Sequence, residues 1–390
     1  MSPTAVASSS HLPESAYDPR RHVGVHAELV SDVASTDYPG HYPGEDHTWN
    51  LRQFNEARRL CVLLVSFRKT EGSVQKLQVK VHRLSQRSIE FDMVGVDASV
   101  ANAFRRILIA EVPTIAIEHV YVWNNTSVVH DEVLAHRIGL VPLNVDPDLQ
   151  EFRTTTGYHS TPNDRNTVVF KLNVVCERNT KAAKGGPNQY INEYVKSGDL
   201  VWEPQGEQRS IFEVDPAPTN KEIVLAKLRP GQEVEMELHA IKGVGKEHAK
   251  WSPVATASYR LHPLIVLNPA KPISRHLAHQ FAGCFSPGVV KVSSEGEISI
   301  DERNMRKDSV SREVLRHSEF DGCVELKRIR DWFIFNIESE GPYTPERLFP
   351  ESIKVMRSKI ASIRKAAEAL LAGTDEEAAS ADGDVEMGAA

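Results

Sequence analysis

Residues 97–143 read DASVANAFRRILIAEVPTIAIEHVYVWNNTSVVHDEVLAHRIGLVPL, and three elements follow from this stretch alone. Asp97 and Ser99 are both suitable N-caps for a helix, and Pro113 stops it. Within it Val100, Phe104, Ile107 and Leu108 stand at i, i+4, i+7 and i+8, one apolar stripe, which leaves Asn102, Arg105, Arg106 and Ile109 on other faces. The β-branched and aromatic run 115–123 predicts a strand closed by the turn signal Asn124-Asn125. A short second helix over about 131–138 follows, with Gly139 expected as a left-handed C-cap.

Upstream, KLQVKVHRL (76–84) and SIEFDMV (88–94) alternate apolar and polar residues across a short polar loop, the pattern of an antiparallel hairpin with one buried face. Downstream, 143–262 is strand-like. Its clearest pieces are 167–175 and 234–241, the latter entered from the Pro230-Gly231 turn, and 181–188 is a glycine- and lysine-bearing loop. Residues 263–322 are mixed. RDWFIFNIE (330–338) is apolar on both faces, as a covered central strand requires. Thr344 and Pro345 then suit the N-cap and first position of a long helix. Along that helix Phe349, Ile353, Met356, Ile360, Ile363, Ala367 and Leu370 recur at spacings of 4, 3, 4, 3, 4 and 3, a heptad seam flanked by Lys354, Arg357, Lys359, Arg364 and Lys365. So narrow a stripe favours a partner helix over packing on the chain's own sheet. Pro350 predicts a kink or a late start.

Composition limits the function. The 390 residues carry a formal charge of −7, and 372–390 hold six carboxylates with no Lys or Arg, so the body is near neutral. A chain that lives by gripping phosphates is usually basic, which disfavours a DNA-binding protein. Four cysteines (Cys61, Cys176, Cys284, Cys323) share no ligand spacing, so zinc, an iron–sulfur cluster and a disulfide framework are not expected, nor is any cofactor. MSPTAVASSS is no secretory signal, and the longest apolar run, LCVLLVSF, has only eight residues, so no membrane association is expected. A free-standing enzyme would need a convergent nucleophile, acid/base pair or metal set, and none is visible.

The stretch 97–143, with its "NA-x-RR" helix and "DE-x-LAHR-x-GL-x-PL" turn, closely resembles the α-subunit signature of multisubunit RNA polymerases. GVGKEHAKWSPVATASYR (243–260) resembles the matching segment of the archaeal and eukaryotic α-like subunits. The resemblance implies an α+β fold in which a discontinuous dimerisation domain (76–142 and 323–371) is interrupted by a β-rich insert (143–262). Residues 263–322 then stand as a cysteine-poor remnant of a cluster-binding segment. An N-terminal arm (1–75) and an acidic tail (372–390) are expected to be largely disordered. Within the arm, LCVLLVSFRKTEGSVQ (60–75) departs from the family; an extra strand and a translated intron are both open readings.

The missing zinc cysteines, with the wording ATASYRL (255–261), make the chain most similar to the larger α-like subunit shared by polymerases I and III, with the third subunit of polymerase II as the alternative. The resemblance implies a nuclear, including nucleolar, scaffold without catalytic residues. It would heterodimerise with the smaller α-like subunit, dock the second-largest catalytic subunits and small polymerase subunits, and meet DNA only through the complex. Arg106 falls on the arginine that binds a large subunit, with Arg105 and Asn102 beside it. The dimer interface is expected from Phe104, Ile107, Leu108, Phe349, Ile353, Met356, Ile360, Ile363, Ala367 and Leu370. Apart from Asp131 and Glu132 on the same short helix, His136 and Arg137 have no further ligand at metal spacing and read as structural or interface residues. Gly243-Val-Gly-Lys lacks phosphate-loop spacing and reads as a turn before His248.

Overall fold

The computed structural model describes residues 7–8, 22–28, 30–31, 78–153, 161–180 and 189–382, with the side chains of the last helix described as far as residue 369. The run 60–75, the loop 181–188 and the Leu370 side chain therefore lie outside the described residues. In chain order the main elements are β1 (His22–Val25), β2 (Gln78–Leu84), β3 (Ser88–Val94), α1 (Ala98–Ala110), β4 (Pro113–Asn125), α2 (Asp131–Gly139) and β5 (Val168–Val175). They continue as β6 (Val201–Glu203), β7 (Glu233–Val244), β8 (Val254–Leu267), α3 (Ala278–Gly283), β9 (Val290–Val292), β10 (Ile298–Ile300), β11 (Val324–Ser339) and α4 (Pro345–Asp382). The architecture is α+β. The chain forms two compact units, one from 1–84, 89–103 and 258–336, the other from 85–88, 104–257 and 337–390.

In the first unit β11 is the central strand, with β1, β3 and β8 as neighbours and β2 at the far edge beyond β3. Its apolar character follows from that position: Phe333 and Phe335 are fully buried, and Phe335 stacks on Phe91 with ring centroids 5.2 Å apart. The expected hairpin is β2–β3, but only β3 has a buried face. Ile89, Phe91 and Met93 are buried, whereas every residue of β2 is exposed. As the edge strand, β2 holds Val79 and Val81 opposite Met93 and Phe91, beyond the point where the core layer stops. On the polar side Arg306 Nη2 reaches Glu90 and the buried Asp92, each at 2.9 Å, and His82 Nε2 lies 2.9 Å from the other Asp92 oxygen. A carboxylate this buried persists only when paired in this way.

The mixed region 263–322 contributes a small α/β layer to this unit. α3 and the β9–β10 hairpin enclose Phe281, Phe285, Val314, Met305 and Phe320. Cys284 and Cys323 are buried free thiols there, and burial pushes the Cys284 pKa up. An apolar core thus holds this segment together.

The second unit is built on a four-stranded antiparallel sheet in the order β6-β5-β7-β4. Its inner face (Phe170, Leu172, Met236, Leu238, Ile115, Ile117) packs with Leu134 and Ile138 of α2. Gly231, at φ +88°, makes the turn into β7 that the Pro-Gly pair predicts. Gly139 is different. It is the last residue of α2, with the right-handed Leu140 as C-cap, and a Cβ there would lie 3.4 Å from the Ile117 carbonyl. That is an ordinary contact distance, so neither a left-handed turn nor crowding explains the glycine.

Two boundaries move. Within the stretch read as an arm, His22–Val25 is a buried strand paired with Leu326–Ile329 of β11. α4 runs from Pro345 through Pro350 to Asp382, so it has no late start and enters the stretch read as a tail.

Candidate subunit interface

α1 begins where its capping chemistry dictates, with the backbone N–H of Ser99 donating to the Asp97 carboxylate at 2.8 Å. Its stripe is used up within the chain. Phe104, Ile107 and Leu108 are buried, and the Phe104 ring tilts against Phe349 of α4 at 5.1 Å. These three expected interface residues are therefore part of the chain's own core. Arg106 is exposed, with Ile109 beside it, while Arg105 and Asn102 are partly buried and engaged by neighbours within the chain.

The far end of α1 is closed by the loop after β7. Lys246 donates its backbone N–H to the Ala110 carbonyl at 2.7 Å, satisfying a group that a helix end leaves open. A Cβ on Gly245 would fall 2.4 Å from the Ile109 carbonyl, and one on Gly243 would fall 2.4 Å from the Trp251 ring. Thr114 Oγ1 donates to the Trp251 carbonyl at 2.7 Å, and Trp251 Nε1 donates to Ile241 at 3.2 Å. The Gly-Val-Gly-Lys run is thus a close-packed brace for α1. Lys250 completes it by donating to the Ile117 carbonyl at 2.8 Å and pairing with Glu118.

α4 is anchored at its start and released towards its end. Arg347 donates to Asp146 through two nitrogens, at 2.7 and 3.2 Å, to Asp148 at 2.6 Å and to Glu351 at 3.1 Å, with its guanidinium over the Tyr343 ring. Burial alone would raise the Asp146 pKa, but the hydrogen bonds from Arg347 and from the Asp148 N–H outweigh it and hold the carboxyl below its usual range. Burial pushes the Tyr343 hydroxyl well above its usual pKa, and that hydroxyl donates to the Pro113 carbonyl at 2.8 Å. Sequence reasoning missed this anchor. Of its acids only Glu351 stands at helical spacing from Arg347; Asp146 and Asp148 lie about two hundred residues away.

Along the seam Phe349 and Ile353 are 8% and 2% exposed, Met356 and Ile360 are half-buried, and Ile363 (69%) and Ala367 are exposed. Lys359 bridges to Glu111 at 2.7 Å near the point where cover runs out. Arg137 donates to the Val224 carbonyl at 2.7 Å, and His136 faces His248 with ring centroids 6.5 Å apart. Among the described residues no His, Cys, Asp or Glu group could hold a metal, and no helix is long and apolar enough to cross a membrane.

An α1–α4 pair with an unfinished apolar seam is the geometry of a dimerisation element, and residues 90–360 match the model of the RNA polymerase Rpb3/Rpb11 dimerisation domain. The chain belongs to the Rpb3/Rpb11 dimerisation family. Its relatives include the DNA-directed RNA polymerases I and III subunit RPAC1 of Saccharomyces cerevisiae, 44% identical over 86% of this chain and 96% of that protein. The human protein of the same name is 44% identical over 85% of this chain and 90% of its own length. The polymerase II subunit rpb3 of Dictyostelium discoideum is 33% identical over 74% of this chain and 93% of its own. The Rpb3/Rpb11 match takes in the buried turns of α4 and reaches Ile360, where the seam begins to open.

Proposed function

We propose that this protein is the larger α-like subunit shared by RNA polymerases I and III, a nuclear and nucleolar scaffold without an active site of its own. The uncovered seam of α4 carries this reading. Ile360, Ile363 and Ala367 continue a repeat whose first members, Phe349 and Ile353, are core residues, and a repeat of that kind is completed by a second helix. The smaller α-like subunit supplies that helix. Arg106, exposed beside the buried stripe of α1, docks the second-largest subunits, with Arg105 and Asn102 in support; a guanidinium suits planar, bidentate contacts at such a surface. Identity favours the polymerase I and III relatives (44%) over the polymerase II relative (33%). The dimerisation domain is assembled from 76–142 and 323–371 around the insert.

The test is affinity purification of the tagged full-length chain from its own cells, with the co-purifying subunits identified. The large subunits of both polymerases I and III are expected, together with one small α-like subunit. Recovery of polymerase II subunits alone, or of no polymerase subunit, sinks the proposal.

A further inference from the structure

The outward face of the β6-β5-β7-β4 sheet differs in chemistry from the seam. Across it Tyr121 stands opposite Glu237, Glu237 opposite Lys171, and Lys171 opposite Val201; in the next row Asn124 stands opposite Glu235 and Glu235 opposite Asn173. Side chains paired in this way lie about 5 Å apart at Cβ, so an aromatic ring and carboxylates share one surface. Glu203 joins them, 2.8 Å from Lys171, so three carboxylates face one ammonium. Glu235 is exposed and has no ion pair among the described residues. Where the register shifts between Glu235 and Met236, the edge strand β4 bears Trp123, which is 70% exposed, two residues after Tyr121 at 45%. His239 presents its ring to Tyr121 at 4.8 Å and its Nε2 to Glu237 at 3.0 Å, which fixes the phenol and the carboxylate in place.

Exposed indole and phenol rings beside carboxylates that outnumber their one ammonium form a receptor for guanidinium. The flat cation stacks on a ring face while its N–H fork takes a carboxylate. We propose that this face docks an extended, arginine-bearing basic segment of another polymerase subunit; the source of the segment rests on the function proposed above, its chemistry on the sheet alone. An acidic segment or a nucleic-acid backbone would be repelled by Glu203, Glu235 and Glu237. A purely apolar helix would leave those carboxylates desolvated without partners. The face is therefore chemically distinct from the seam and calls for a different partner.

The test uses the affinity-purified complex, with Trp123 replaced by photoreactive benzoylphenylalanine in the tagged full-length chain. Recovery of the complex reads out the proposed function; the photo-adduct within it reads out this face. The adduct is expected on an arginine-rich segment of a different subunit. Its yield should fall at least fivefold in a Glu235→Lys, Glu237→Lys background whose melting temperature is unchanged. If that double variant does not fold, Glu235→Gln alone should lower the yield about twofold. An adduct on an acidic or apolar segment or on nucleic acid, an intact complex giving no adduct, or a yield indifferent to the charge changes would overturn the proposal.

Discussion

The first turns of α4 and its later turns carry one heptad repeat and meet opposite fates. Phe349 and Ile353 are core residues of the second unit, Phe349 against Phe104 of α1, while Ile363 and Ala367, on the same seam, are exposed. At 38 residues the helix is about 57 Å long, far longer than the layer it packs on. A seam longer than its own core separates two tasks along one sequence: the early residues fold the chain, and the later ones are left for the partner helix proposed above.

The sharpest way to break this contrast is a carboxylate in each half. Ile353→Asp buries an unpaired charge and costs about 4 kcal/mol or more, so thermal melting should show the second unit unfolded or nearly so. Ile363→Asp, at a site 69% exposed, should leave the melt of the isolated chain within about 0.5 kcal/mol of the parent. It should still abolish co-precipitation of the smaller α-like subunit. Matching effects on folding would show that the seam has one role instead of two.

α1 repeats the contrast across its width. Its stripe is buried while Arg106 points outward, so Arg106→Ala should spare both folding and the heterodimer. Loss of a paired interface arginine costs about 2–5 kcal/mol, enough to weaken docking of the second-largest subunit more than tenfold. Surface-plasmon measurements on the purified heterodimer would decide it. A failed heterodimer with docking unchanged would reverse the assignment of the two surfaces.

Much of this was legible before the structure. The hairpin, the α1 stripe, β4, the covered strand and the α4 seam are all periodicity signals, and periodicity reports which face is apolar. It does not report what covers that face. Val79 and Val81 alternate as faithfully as Phe91 and Met93, yet they lie on an edge strand and stay exposed. The same limit kept open whether Ile363 was core or surface. Long-range polar contacts were invisible for another reason: Arg306 with Asp92, and Arg347 with Asp146, join residues about two hundred positions apart, and no local pattern pairs them. The turn at Gly245 was legible, whereas Gly243 is still in β7, and the reason for both glycines, the approach of Trp251 and of the α1 carbonyl, is tertiary.

The smallest expected effect sharpens the comparison at the anchored end of α4. In the fold, hydrogen bonds from Arg347 and the Asp148 N–H hold the Asp146 carboxyl below its ordinary pKa, against the opposing pull of burial. A carboxyl depressed in this way stabilises the fold fully above its unfolded pKa of about 4, and that contribution is lost as pH falls through the folded value. The anchor should therefore hold from pH 7 to 5 and weaken below about pH 4. Because Asp146 and Arg347 are both about a third exposed, solvent screens the pair, and its contribution should be near 1 kcal/mol. Asp146→Asn removes the titrating group. Relative to the parent it should lower the melting temperature by a few degrees at pH 7, and the gap should close below pH 4. Melts of both proteins at pH 7, 5, 4 and 3 measure this directly. A gap that persists unchanged at pH 3 would mean that Asp146 holds α4 by shape rather than by charge. Ile353 and its neighbours would then carry the buried end of the helix without electrostatic help.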